Sequence, residues 1–173
     1  MTRQIWLISD THLGHENVLN FEDESGVKIR TGFDHLDHMN EKIMDNLNDN
    51  VKTGDILYHL GDVYFSKIRA QKALGHFKAL PFKKRLILGN HDDALDPNLH
   101  DIFGKIMLWR IFKEFNCVCS HIPLREESFR KVEYNVHGHI HEKESPSPFH
   151  INVCVERTNY MPVPIEEVMK GKF

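Results

Sequence analysis

Five short stretches of this chain set metal-binding or proton-transferring side chains directly after apolar runs. Asp10-Thr11-His12 offers a carboxylate and an imidazole two residues apart, on one face if the strand persists. Gly61-Asp62 offers a second carboxylate where glycine lets the backbone turn tightly. Gly89-Asn90-His91-Asp92 offers an amide oxygen, an imidazole and a carboxylate, His121 another imidazole, and Gly138-His139-Ile140-His141 two more. Mixed oxygen and imidazole donors suit first-row divalent cations such as Mn²⁺, Fe²⁺, Zn²⁺ or Ni²⁺ better than Ca²⁺ or Mg²⁺. The donors Asp10, His12, Asp62, Asn90, His121, His139 and His141 are too many for one tetrahedral ion. They suit two ions sharing a carboxylate.

Taken singly, the pieces carry little weight. Gly-Asp after a strand is often only a turn, and an isolated Asp-x-His is common. Gly-Asn-His-Asp and His-Gly-His-Ile-His are stronger, because packing does not explain three histidines within residues 137–141. Histidine occurs 13 times against 10 glycines, and it is the commonest metal ligand. Placement gives that excess its meaning.

The elements that must position these residues are legible as alternating patterns. Six apolar runs read as buried strands: Gln4–Ile8, Asp55–Leu60, Arg85–Leu88, Cys117–Ser120, Tyr134–Val136 and His150–Val155. The first five end in Asp, Asn or His, and ligands of open α/β sheets gather outside the carboxyl ends of strands. Between them, Leu36, Met39, Ile43 and Leu47 repeat at helical spacing with Asp34 as N-cap. Ile68, Ala73, Leu74 and Phe77 form a second helical stripe that ends before Pro81, and a short helix is expected over 165–170. Residues 92–110 read equally as helix or loop. The whole is an α/β layered arrangement.

Composition narrows the function classes. The 173 residues fit a single domain spanning 1–173. Hydrophobic and charged fractions of 40% and 27% are those of a globular chain, and the net charge of −3 lacks the footprint of a dedicated nucleic-acid binder. Cys117, Cys119 and Cys154 form no CxxC pair and read as buried free thiols, which suits a reducing cytoplasm. The stretch following Met1-Thr2 is too short for a signal-peptide core or a membrane span, so neither export nor a membrane partner is expected.

In order and spacing, Asp10-x-His12, Gly61-Asp62, Gly89-Asn90-His91-Asp92, His121 and Gly138-His139-x-His141 resemble the signature of the calcineurin-like metallophosphoesterases. Residues 10–17 and the stretch from Asn152-Val153 to Asn159-Tyr160-Met161-Pro162 resemble the small bacterial and phage branch. The resemblance implies a four-layer α/β/β/α sandwich. It implies that Asp10, His12 and His141 hold one ion, that Asn90, His121 and His139 hold the other, and that Asp62 bridges. Two divalent ions, Mn²⁺ foremost, would sit about 3.5–4 Å apart, clamp phosphate oxygens and generate hydroxide near neutral pH.

His91 is the one motif imidazole that the family pattern leaves off the metals, so it is expected to protonate the leaving alkoxide. Asp92 either orients His91 or caps a helix. His15 and Asn17 are candidates for touching substrate phosphate. Gly61-Asp62-Val63-Tyr64-Phe65-Ser66 departs from the Gly-Asp-x-x-Asp-Arg-Gly of protein phosphatases, which points instead to a small phosphodiester or phosphomonoester, with nucleotide-derived substrates included. The alternatives are a nuclease on single-stranded nucleic acid, which the absence of a clear aromatic cluster disfavours, and a non-catalytic scaffold of the same fold.

Overall fold

Strands that are apolar on both faces must be covered on both, and the computed structural model, which describes residues 3–171, does this with two sheets. In chain order the elements are β1 (Ile5–Ile8), α1 (Leu36–Asn50), β2 (Ile56–His59), α2 (Lys67–Ala79), β3 (Lys83–Ile87), α3 (Pro97–Ile102), β4 (Lys105–Met107), β5 (Trp109–Phe112), β6 (Cys117–Ser120), β7 (Tyr134–His137), β8 (His150–Asn152), β9 (Val163–Pro164) and α4 (Ile165–Val168). Met1 and Thr2, which open the N-terminal stretch read from the sequence, lie outside the described residues. The first sheet runs β4-β3-β2-β1-β9, parallel except for β9. The second runs β5-β6-β7-β8, parallel except for β5.

Two cores flank the first sheet. On one side Ile8, Leu57 and Leu86 meet Met39, Ile43, Met44 and Leu47 of α1 and Ala70, Ala73, Leu74 and Phe77 of α2. On the other, Leu7, Tyr58 and Ile87 meet Phe112, Cys119 and Val136 of the second sheet. Fully burying one such aliphatic side chain contributes roughly 1.5–3 kcal/mol, so together these contacts hold the two sheets face to face. The far side of the second sheet is covered by loop. Leu124 donates its N–H to Asn135 Oδ1 (2.8 Å), and the Phe129 ring stands 5.2 Å from that of His150.

Some sequence expectations move. His35, not Asp34, caps α1, because its ring accepts the His38 N–H (3.1 Å). Ile68 is 87% exposed, since the stripe at spacing 3–4 runs through Ala70, Ala73, Leu74 and Phe77. The ambiguous 92–110 stretch resolves into α3, β4 and the start of β5. The strand expected over Arg85–Leu88 starts earlier, at Lys83, and the buried Lys84 ammonium is capped by the Leu80 carbonyl (2.7 Å). No helix among the described residues is long and apolar enough to cross a membrane.

Candidate metal centre

The loops that follow β1, β2, β3, β6 and β7 are stitched to one another across both sheets. Asp10 N–H donates to Gly61 O (3.0 Å), His12 N–H to Asp62 O (3.1 Å) and Gly138 N–H to His121 O (2.9 Å). Val155 N–H reaches Ser9 O (3.1 Å), tying the chain beyond β8 to the end of β1. The backbone is forced into unusual shapes here. Asp10, His12, Asp62, His139 and His141 all have φ between 45° and 73°, a left-handed region uncommon for residues other than glycine. Strain that gathers at named polar residues is a mark of function. Close approach matters too: a methyl group on Gly89 would overlap the Asp62 carboxylate, and one on Gly138 would overlap Ser9 and Asp10.

Two groups of donors result. One atom each from Asp10, His12 and His141 lie within 4.8 Å of one another, and so do one each from Asp62, His121 and His139. Asp62 Oδ2 lies 3.5 Å from His12 Nε2 in the first group and 3.5 Å from His121 Nε2 in the second. Asn90 joins the second group, with its Oδ1 2.9 Å from His121 Nε2.

The donor set fits divalent cations. Asp10 Oδ1 and both ring nitrogens of the buried His12 have no hydrogen-bond partner among the described residues. Buried polar atoms are rarely left so. His121 Nδ1 faces Leu60 O (2.8 Å) and must carry a proton, so Nε2 is the nitrogen turned toward Asp62 and Asn90. Burial, with the Arg30 charge next, pulls the His12 pKa far down; burial, with His121 next, lowers that of His139. Neutral imidazoles are the form that binds a metal ion.

Behind the donors stand residues that were not among the expected site residues. Arg30 is the largest of the fully buried side chains, on a loop, and donates to Asp10 O (2.6 Å) and Thr11 O (3.1 Å). It also pairs with Glu156 (2.7 Å), whose Oε1 faces His141 Nδ1 at 2.8 Å. The Asn152 amide holds the turn after His141 by its carbonyl (2.7 Å) and that of Lys143 (3.2 Å). His59 Nε2 meets the Thr11 hydroxyl (2.9 Å), and burial pushes the His59 pKa down to about 3.

The remaining expected residues divide. His91 is exposed at the mouth, its ring 5.6 Å from that of His12. Asp92 neither orients His91 nor caps a helix. Its carboxylate accepts the N–H groups of Gly89 (2.9 Å), Asp62 (2.9 Å) and Val63 (3.0 Å), which spends both oxygens on the two loops. His15 reaches the site, its ring 5.8 Å from that of His12. Asn17 sits exposed on the turn Glu16–Asn20, with no side-chain hydrogen bond among the described residues. His15 also lies 4.2 Å from Phe65 and 5.4 Å from Phe21, rings 55% and 45% exposed, so an aromatic rim exists that no local pattern revealed. The three cysteines are free and buried, with Cys154 Sγ 3.2 Å from Asp10 Oδ2.

Comparison with known proteins places the chain. No family profile matches it. The uncharacterized protein MJ1445 of Methanocaldococcus jannaschii is 30% identical, the match covering 97% of this chain and 90% of that one. The gene 66 protein of Mycobacterium phage D29 is 38% identical over 51% of this chain and 40% of its own, so this chain spans less than two thirds of it. Among solved structures, the protein of unknown function AQ665 from Aquifex aeolicus superposes with a TM-score of 0.80 at 28% identity, covering 98% of this chain and 99% of that one. A novel archaeal phosphodiesterase is far more distant, at a TM-score of 0.49 and 18% identity over 87% and 82% of the two chains. On near-full-length identity, with the same fold shared by the Aquifex protein, this chain belongs to the family of the archaeal protein MJ1445.

Proposed function

We propose that this protein is a dinuclear-metal phosphoesterase acting on small phosphodiesters or phosphomonoesters. The observation that carries the reading is the place of Asp62, one oxygen of which stands 3.5 Å from a histidine of each donor group. In this reading Asp10, His12 and His141 hold one ion, Asn90, His121 and His139 the other, and Asp62 is shared. The ions, Mn²⁺ foremost with Fe²⁺, Zn²⁺ or Ni²⁺ as substitutes, supply Lewis acidity toward phosphoryl oxygens and lower the pKa of water.

The chain's own residues supply the rest. His91, exposed beside His12, protonates the departing oxygen, while the polypeptide around it is held by Asp92 and by the His91 N–H on Asp62 Oδ1 (2.9 Å). His15 stands where it can meet a non-reacting phosphate oxygen. The Phe21–His15–Phe65 rim favours substrates with a flat ring, hence nucleotide-derived esters. Three rings make one stacking place rather than a track, which sets a single nucleotide above a strand of nucleic acid. The reading takes residues 1–173 as one domain working in a reducing cytoplasm. It takes the loop-covered face of the second sheet as the reduced fourth layer of an α/β/β/α sandwich.

The test is metal-stripped protein assayed on bis-p-nitrophenyl phosphate and p-nitrophenyl phosphate with Mn²⁺ restored. Hydrolysis of either that depends on the ion is expected. No hydrolysis of either substrate with Mn²⁺, Fe²⁺, Zn²⁺ or Ni²⁺ would overturn the proposal.

A further inference from the structure

The two donor groups are backed by different chemistry. His121 leans on a backbone carbonyl, Leu60 O, whereas His141 leans on a carboxylate, Glu156. That carboxylate is almost wholly buried, with 3% of its side chain exposed, as is its partner Arg30 at 0%. Three donors converge on Glu156 Oε1: Arg30 Nη2 (2.7 Å), Arg30 Nε (2.8 Å) and His141 Nδ1 (2.8 Å). Glu156 Oε2 is buried and has no partner among the described residues. Paired this closely with a guanidinium, the carboxylate is ionised and can only accept. His141 therefore donates from Nδ1, and Nε2 is the nitrogen left to reach an ion.

We infer that Glu156, clamped by Arg30, is a positioning residue that fixes the ring and tautomer of His141 and so makes the Asp10–His12–His141 group the tighter of the two ion sites. The inference rests on the proposed metal centre. A carboxylate behind a histidine raises the basicity of its other nitrogen and holds the ring in register, and losing such a partner typically lowers metal affinity about 10–100-fold. Arg30 adds a second constraint. Through the Asp10 and Thr11 carbonyls it holds the loop that carries two further donors of the same group, so one buried ion pair sets the geometry of all three.

The experiment is calorimetric titration of metal-stripped protein with Mn²⁺. Asp10→Ala and His139→Ala serve as references that assign each binding step to a group. In Glu156→Gln the tighter step is expected to weaken about 10–100-fold while the other keeps its affinity. Long-range nitrogen NMR of the ion-free protein should show His141 protonated on Nδ1 in the wild type, and a mixture of tautomers in the variant. Unchanged affinity at both steps overturns the inference. An equal loss at both does so too, since that marks a general loosening of the fold. If the single variant fails to fold, Arg30→Met with Glu156→Gln removes both buried charges at once, which proteins often tolerate, and the same titration decides. Turnover is not read, so a protein with the expected titration and no hydrolysis loses the phosphoesterase reading and keeps this one. A wild type that binds no divalent ion loses both.

Discussion

The two halves of the candidate centre look alike in donor type and differ in what stands behind them. The Asp10–His12–His141 half is backed by formal charges, Arg30 and Glu156, brought in from a loop at residue 30 and from beyond β8. The Asp62–His121–His139 half is backed mainly by backbone. Leu60 O receives His121, the His91 N–H binds Asp62 Oδ1, and Asp92 gathers the amides of Gly89, Asp62 and Val63. A hydrogen bond to a neutral carbonyl is weaker than one to a charged group, by roughly half. The contrast teaches that similar donors can be held in place by different chemistry. It also shows that the half nearer the aromatic rim, through His12 and His15, is the more rigidly charged one.

The strongest test of the comparison is to remove what the halves share. Chelation should bring hydrolysis to the uncatalysed rate, and Asp62→Ala should abolish high-affinity loading of both ions in a metal analysis, because Asp62 faces a histidine of each group. Retention of one tightly held ion in Asp62→Ala would show that the halves are independent. Next in size, His91→Ala should lower turnover about 10²–10⁴-fold with both ions still bound, as expected of a proton donor outside either half. Loss of an ion in that variant would move His91 into a ligand role.

A smaller effect separates the rim from the centre. Phe65→Ala should raise KM for a nucleotide diester roughly 5–150-fold, the size of about 1–3 kcal/mol of base stacking, and leave bis-methyl phosphate unaffected. Equal effects on both substrates would mean that Phe65 merely supports His15.

Smallest is the pH response of the frame common to both halves. Burial, with a lesser effect of His121, holds His59 down to about 3, against an ordinary 6.5. Above pH 6.5 neither folded nor unfolded chain protonates it, and its neutrality costs nothing. As pH falls from 6.5 toward 3 the unfolded chain takes up a proton that the folded chain excludes, so stability declines across that window. Melting curves of metal-stripped protein should therefore drop less steeply on acidification in His59→Gln than in the wild type. Parallel slopes would remove His59 from the account.

Much of this centre was readable because its donors sit at strand ends, where local patterns mark both the strand and the polar residue after it. Asp10, His12, Asp62, Asn90, His121, His139 and His141 were named that way, and the folded chain brings them together. The helices α1 and α2 were readable from spacing, although the end of α1 was misassigned because a histidine ring can cap as an aspartate does. β4 and β5 are largely exposed and β9 is only two residues long, so none presents the buried apolar run that marked the other strands. Arg30 and Glu156 were not named as site residues, although position 156 falls within the stretch that carried the family resemblance. They lie 126 positions apart, and nothing in either neighbourhood distinguishes a buried charge from a solvated one. The rim was missed for the same reason, since Phe21 and Phe65 meet only through His15.

The left-handed backbone at Asp10, His12, Asp62, His139 and His141 has a consequence for motion. Each such residue costs about 1–3 kcal/mol, and five of them together approach the whole stability of an ordinary domain, about 5–15 kcal/mol. Ions that bridge these loops would hold that strain in place, so the loops are where the ion-free and ion-loaded chains should differ most in opening. Amide exchange should be fast at these loops in the ion-free chain and slow once ions bridge them. The candidate centre would then also record, in its own protection from solvent, whether the protein is loaded.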